Sequence, residues 1–557
     1  MTDVSVLIVG GYGTFGGRLA RLLKDEAITI LIAGRSLAMA QRFCDGVHGR
    51  AKLIPVQFDR DGNIHEQLGT LSPTIVVDAS GPFQVYGLAP YRLIDACIER
   101  GIHYLDLAGA ASFVAGVAAF NERAKSRGVF VLSGVSSVPV LSAAVVHRLA
   151  EDLSKVLSIT AGIAPSPRAG VGLSVIKAIA SYAGTKIRLR RDGGDTTAFA
   201  LLEQRWQTIA PAGALPLRPR MFSLVEVPDL QLLQTQWPEL REVWVGAAPV
   251  PLVLHRFLIV FAWLRRWRLF PSLVHFAALM HLATRHLRWG EHRGGMFVTV
   301  QGLDDQNRLV RKSWFLIAEE DSGPFIPSMA AEAVIRKLLE GEAIPAGARH
   351  ALGDVDLSDY EQLFAKHRIV NAVRTTPRSD ASLFERVLGE KWDQLPEELR
   401  TLHRGSGSQE ASGMATVARG KRWLARLLTR VFGFPQSGDD IPIRVSFAPS
   451  PTGERWTRRF GTREFHSELS AGAGEEEGLL IERFGPFSFG LALVWDEPRL
   501  KFIVRHWRLG PIPLPLWLAP ISEAHECVEH GRFKFDVGIS HPIAGLLVRY
   551  QGWLAPQ

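Results

Sequence analysis

Short apolar runs rich in β-branched residues alternate with stretches of helical apolar spacing from the N-terminus to about residue 135. Residues 4–9, 28–33, 51–56, 74–79, 101–107 and 129–132 read as strands, and 18–24, 91–100 and 113–127 as helices. The strand runs are apolar throughout rather than alternating, the pattern of strands covered on both faces in a parallel sheet. The helices between them serve as crossovers. The predicted fold class is therefore α/β, a Rossmann-type doubly wound parallel sheet whose ligand lies outside the carboxyl ends of the strands.

Further along the grammar is mixed. Residues 157–163, 186–191, 296–301 and 309–318 read as strands, 172–183 and 329–340 as helices, with a polar turn at 304–307. These imply a mixed α/β substrate domain over 140–319, after which 320–375 returns to the first domain, 1–139. A polar, proline-containing linker is expected at 376–382. Beyond a short helical region, 383–402, the runs 443–447, 479–484, 487–495, 500–507 and 533–539 lack intervening helices. The segment 383–557 therefore reads as β-rich and antiparallel.

The strand at 4–9 enters Gly10-Gly11-Tyr12-Gly13-Thr14-Phe15-Gly16, and Gly11, Gly13 and Gly16 fall on G-x-G-x-x-G between a strand and a helix. Glycines there allow a tight turn, close backbone approach to a pyrophosphate and close helix packing. An NAD site places a carboxylate at the end of the second strand; this chain has Ala33-Gly34-Arg35-Ser36. Arg35 and Ser36 suit a 2′-phosphate, so NADP is the expected cofactor. Ser80, Gly81 and Pro82 follow the fourth strand and complete the expected cofactor-binding set with Gly11, Tyr12, Gly13, Thr14, Phe15 and Gly16.

Hydride transfer needs a proton-handling group at the sheet's carboxyl edge. Candidates are Asp106 and Tyr86, with Tyr104 and with His103, which lies at the far end of its strand; the other reading of Asp106 is a cap for the next helix. Cys97 lies in a helix and reads as packing. The three cysteines are scattered, as in a reducing compartment, and the N-terminus leads directly into a strand, so a cytoplasmic location is expected. His525-Glu526-Cys527-Val528-Glu529-His530 has the wrong histidine spacing for a metal helix, and no metal is expected.

The net charge of +8 is concentrated. Residues 247–290 hold six arginines and no Asp or Glu, around two apolar runs interrupted by Pro271. Neither run reaches the roughly 20 residues of a membrane-spanning helix. Two readings stand: interfacial helices at the inner face of a membrane, or helices buried in a core or homodimer interface with arginines snorkelling outward. The rest of the chain is near neutral, which argues against nucleic-acid binding.

The Gly-Gly-Tyr-Gly-x-Phe-Gly start, Ala33-Gly34-Arg35, Ser80-Gly81-Pro82-Phe83 and the run Ala96-Cys97-Ile98-Glu99-Arg100-Gly101-Ile102-His103-Tyr104-Leu105-Asp106 together resemble the saccharopine dehydrogenase-like oxidoreductases over about residues 1–375. The resemblance implies an NADP-dependent enzyme. It does not imply the saccharopine reaction, because the loop after Phe83 has no Lys or His before Arg92, and Ala110 follows Asp106-Leu107-Ala108-Gly109 where an acidic residue is usual. An apolar or lipid-like substrate is expected. The alternative is a non-catalytic nucleotide-binding protein whose cofactor occupancy regulates lipid or partner binding. Glu454-Arg455-Trp456-Thr457-Arg458-Arg459-Phe460, Gly485-Pro486-Phe487 and Tyr550-Gln551-Gly552-Trp553 resemble a domain of unknown function that often follows such chains.

Overall fold

The computed structural model describes residues 4–83, 86–87, 89–269, 273–375, 381–405, 408–431 and 433–557. Contacts divide the chain into two compact units. The first comprises 1–205, 221–313 and 317–369; the second comprises 206–220, 314–316 and 370–557. The expected linker at 376–382 falls mostly on 376–380, outside the described residues.

The first unit opens with the strands β1 (Ser5–Val9), β2 (Thr29–Gly34), β3 (Lys52–Gln57), β4 (Ile75–Asp78), β5 (His103–Asp106) and β6 (Phe130–Ser133). With Gly347–His350 at one edge they form a parallel sheet in the order Gly347–His350, β6, β5, β4, β1, β2, β3. The reversal of order beside β1 creates the crevice in which such sheets bind ligands. Val6, Leu7, Ile8, Ile30, Ile32, Val76 and Val77 are fully buried, as covering on both faces requires.

The helix Ile326–Glu340 returns to this domain: Ser328 Oγ donates to the Phe15 carbonyl at 3.1 Å, and the helix packs on Gly16–Leu22. Residues 113–127, expected as one helix, are broken into Ala111–Gly116, a 3₁₀ turn Val117–Phe120 and Asn121–Ser126.

A mixed sheet follows, with Leu153–Ala164 parallel to Glu242–Ala247 on one side and antiparallel to Gly294–Asp304 on the other. In the apolar region, Leu252–Arg266 and Ala277–His286 are helices. Only His255 and Ala262 of the first are buried, so the expectation of burial in a core does not hold within this chain. Among the described residues no helix is long and apolar enough to cross a membrane.

The second unit is an antiparallel β-barrel. From Gln409–Arg419 through Gly438–Ser450, Gly453–Phe460, Arg463–Ala471, Leu480–Phe484, Phe487–Asp496 and Arg499–Leu509, each strand pairs with the next. Ile521–Glu529, Arg532–His541 and Gly545–Pro556 continue the meander, and the last strand pairs back onto Gln409–Arg419, closing the ring. Closure removes free edges, which an open sheet of this length would have to protect. Phe384, Leu399 and Leu402, from the preceding short helices, join its interior core.

Candidate functional site

The turn after β1 is shaped by backbone contacts. Gly10 sits at φ +79°, and its amide and that of Gly11 both donate to the Ala33 carbonyl at 2.9 Å. A Cβ on Gly10 would lie 3.0 Å from Ser80 Cα, so the loop after β4 packs directly on the turn. The Gly13 amide donates to the Gly10 carbonyl at 2.8 Å, and a Cβ on Gly13 would meet that oxygen at 2.9 Å. A backbone this close leaves a bare cradle that fits a dinucleotide diphosphate. Gly10 was not among the expected positions; the doubled glycine was its only sequence signal.

Across the turn lies the second domain of the same unit. A Cβ on Gly172 would come 2.7 Å from Thr14 Oγ1, and Arg18 donates to the Ala169 carbonyl at 2.8 Å. Burial lowers the Arg18 guanidinium to about 10, helped by Arg21 nearby.

At the end of β2, the Tyr12 hydroxyl accepts from the Ser36 amide at 3.1 Å, and its ring packs on Gly34. Ser36 caps the helix Leu37–Asp45, its Oγ accepting from the Met39 amide. Arg35 is exposed beside this N-terminus, with no ion pair among the described residues. A helix start with a cationic side chain and no carboxylate favours additional negative charge on the ribose.

The carboxyl ends of β4 and β5 carry Asp78 and Asp106, neighbours in register and fully buried. Asp78 is surrounded. The Ser80 amide and Oγ donate to its Oδ1 at 3.0 and 2.6 Å, and Arg60 Nε lies 3.3 Å from Oδ2. Tyr86 belongs to this group: its hydroxyl is 3.0 Å from Ser80 Oγ and 3.4 Å from both Asp78 oxygens. The Arg60 guanidinium covers the Tyr86 ring at 3.3 Å, and Phe83 and Phe113 pack against it. Burial, with Asp78 adding to it, raises the Tyr86 hydroxyl well above the usual tyrosine range, which makes it a poor acid. Arg60 was missed by sequence reading because it follows β3, far from β4 in the chain.

Asp106 is asymmetric. Its Oδ1 accepts from the Ala108 amide at 3.0 Å, Ser133 Oγ at 3.0 Å and the Gly134 amide at 2.9 Å, whereas Oδ2 is buried without a partner among the described residues. Burial raises the carboxyl to about 7 against the pull of those three donors. The expected helix cap is not what Asp106 does: the next helix starts at Ala111 with Ala110 at its N-cap, and Asp106 instead ties β5 to the end of β6.

The segment after β6 is pinned at its other end by a second buried acid. Ser142 Oγ donates to Asp229 Oδ1 and lies 3.0 Å from the Pro139 carbonyl, while Asp229 Oδ2 has no partner among the described residues. Burial raises Asp229 to about 7 as well. Nothing in the local sequence pairs residues so far apart. His103 is structural, its Nδ1 accepting from the Phe130 amide and its ring stacked on Phe130. The Tyr104 hydroxyl is buried without a partner, and Cys97 is buried with its thiol pushed up by desolvation. Among the described residues no cluster of three or more His, Cys, Asp or Glu is arranged to hold a metal.

The structure thus brings Gly11, Gly13, Gly16, Ser80 and Tyr86 around one crevice, with Arg35 and Ser36 at the end of β2. Residues 6–132 match the family described as the saccharopine dehydrogenase NADP binding domain, and 395–554 match a domain of unknown function, DUF4166. Comparison with curated proteins gives no match. Among solved structures, saccharopine dehydrogenase (L-Glu forming) from Saccharomyces cerevisiae aligns at 11% identity and TM-score 0.48, over 67% of this chain and 100% of that one. Biliverdin reductase from Synechocystis sp. PCC 6803 aligns at 13% identity and TM-score 0.29, over 64% and 95%.

Proposed function

We propose that this oxidoreductase, which carries a saccharopine dehydrogenase NADP binding domain ahead of a DUF4166 domain, uses NADP to reduce or oxidise an apolar, lipid-like substrate. The observation that carries the cofactor reading is Arg35-Ser36 after β2, with Arg35 exposed beside a helix start, where NAD would require a carboxylate. The glycine cradle would hold the diphosphate and the Ser80–Pro82 loop the nicotinamide side. When bound, the cofactor supplies or accepts a hydride at the nicotinamide ring.

Asp106 is the residue suited to hold the accompanying proton. Three donors occupy Oδ1, so a proton on this carboxyl resides on Oδ2, the oxygen with no protein partner. A value near 7 lets it give or take that proton at neutral pH. Tyr86 and Arg60 form the wall and hold Asp78. The apolar substrate class is supported by the aromatic group Phe83, Tyr86, Tyr91, Phe113 and Phe120. It is supported also by the engagement of Arg60 with Asp78, which leaves it no free charge for a substrate carboxylate.

Contact with a membrane surface through 252–286 belongs to the same proposal. Phe257 is 57% exposed and Leu279 63%, in a region with arginines and no acidic residues. The experiment is NADPH oxidation with medium-chain aldehydes and ketones, followed by nicotinamide absorbance in the parent chain and in Asp106→Asn. Turnover that falls by about 100-fold or more in the variant, with NADPH affinity unchanged, is expected. Equal turnover in Asp106→Asn removes Asp106 from the chemistry.

A further inference from the structure

The C-terminal barrel encloses a cavity of about 170 Å³. Its lining follows the period of two that a closed sheet imposes: Val445, Phe447, Leu491, Val504, Phe535 and Val537 all point inward from their strands. The strand register explains why the space exists. About eight strands give an interior that side chains just fill. This barrel runs through the strands traced above, from Gln409–Arg419 to Gly545–Pro556, and is therefore wider. For comparison, an apolar cavity of about 150 Å³ stays dry and takes up benzene. An apolar void of this size forfeits dispersion contacts that a bound apolar molecule would restore.

The polar groups facing the cavity indicate the rest of the ligand. Arg458 is satisfied from within: it donates to Ser467 Oγ at 2.9 Å and Glu482 Oε1 at 3.3 Å, and Ser467 Oγ donates to the same Glu482 oxygen at 2.7 Å. Glu526 accepts from His403 Nε2 at 2.7 Å. Arg458 and His403 thus already have a carboxylate each, and burial holds the imidazole of His525, also in the lining, below its usual range, so an anionic head group would enter without a free cation and beside two acids. One polar atom is left over. His403 Nδ1 is buried without a partner among the described residues, and the His403 ring is held in place by stacking on Phe384 and Trp456. With Nε2–H given to Glu526, Nδ1 is an acceptor for a single hydroxyl.

We infer that the barrel is a binding compartment for an uncharged amphipathic molecule, with a hydrocarbon body in the aromatic-lined cavity and a hydroxyl donating to His403 Nδ1. Its lining residues all belong to the second unit. Ile539 and Leu547, which line the cavity, also pack with Leu424 and Leu428 of the amphipathic helix Trp423–Val431, so the wall beside that helix borders the ligand.

The test uses the full-length protein and N-phenyl-1-naphthylamine, a neutral fluorophore that brightens in apolar surroundings. Saturable binding is expected, with 1-decanol displacing the probe at a concentration about tenfold or more below that needed for decanoate at pH 8. Saturating NADPH should leave probe binding unchanged. Ala524→Phe and Leu491→Trp each fill the cavity, so either variant that unfolds cooperatively should lose the probe. No saturable binding, preference for decanoate, displacement by NADPH, or retention of the probe by a folded cavity-filling variant would each overturn the inference. His403→Phe keeps the stack and removes Nδ1; it should raise the 1-decanol concentration needed for displacement by about fivefold while the probe still binds, and an unchanged concentration would remove His403 as the hydroxyl acceptor.

Discussion

Asp78 and Asp106 stand side by side at the ends of β4 and β5, both fully buried, yet only Asp78 has donors or a cation at both carboxylate oxygens. The asymmetry gives Asp106 a pH signature. Its carboxyl rises from 3.8 to about 7 on folding, mainly through burial. Below about pH 4 both states are protonated and its contribution is constant. Between about 4 and 7 the unfolded chain releases a proton that the folded chain keeps, so stability falls as pH rises, by up to about 1.4 kcal/mol per unit. Above the window the loss is complete. Asp229 acts in the same direction. Urea unfolding of the first unit from pH 5 to 8 should show a decline that Asp106→Asn makes shallower; an unchanged slope would contradict the burial argument.

The glycine turn predicts a sharp steric result. Gly13→Val should abolish binding of either nicotinamide dinucleotide, since even a Cβ there meets the Gly10 carbonyl at 2.9 Å. Tyr12→Phe, which leaves the Ser36 amide without its acceptor, should weaken NADPH binding by about fivefold. Fluorescence titration reads both, and intact binding in Gly13→Val would remove the turn from the cofactor site.

The arginines of the apolar region divide by their contacts. Arg265 donates to the carbonyls of Ala180, Ser181 and Ala183 at the end of the helix Leu173–Tyr182, and Arg266 lies over the Phe199 ring at 4.2 Å. Replacing these two by Gln should therefore lower stability, by about 1–3 kcal/mol for Arg265. Vesicle flotation should depend instead on the exposed apolar face. Phe257→Glu with Leu279→Glu should release the protein from anionic vesicles at low salt without loss of stability. Flotation equal to that of the parent would exclude this face as the lipid contact.

Much of the first domain was legible because its signals are local. Continuous apolar runs gave β1 to β6 nearly to the residue, and the glycine spacing gave the turn. The second unit was less so. In the strand Gly453–Phe460 the pleat sends Trp456 and Arg458 inward while Arg455 and Arg459 face Glu468 and Glu464 outside. An inward arginine breaks the apolar alternation on which a strand's inner face is recognised. Ring closure was also invisible, since it pairs Gln409–Arg419 with Gly545–Pro556 across more than a hundred residues. Arg60 with Asp78, and Ser142 with Asp229, are long-range for the same reason.

The second unit contains more of the chain than 383–557. Residues 206–220 belong to the same unit. Arg374, lowered to about 10 by burial, donates to the Ala210 and Val387 carbonyls at 2.8 and 2.6 Å, and Arg505 donates to the Pro216 carbonyl at 2.8 Å. A fragment 383–557 should melt at lower temperature than the barrel transition of the whole chain. In the full protein, Arg374→Met should cost about 3 kcal/mol in that transition. Equal melting of fragment and parent would show that the 206–220 segment is dispensable.

The central claim, an NADP-dependent oxidoreductase, is tested most directly by titrating the purified chain with NADPH and NADH and following nicotinamide fluorescence. NADPH should bind about tenfold tighter, a difference of about 1.4 kcal/mol, and Arg35→Ala should bring the two affinities together by weakening NADPH alone. Equal affinities in the parent, or a preference that survives Arg35→Ala, would contradict the assignment.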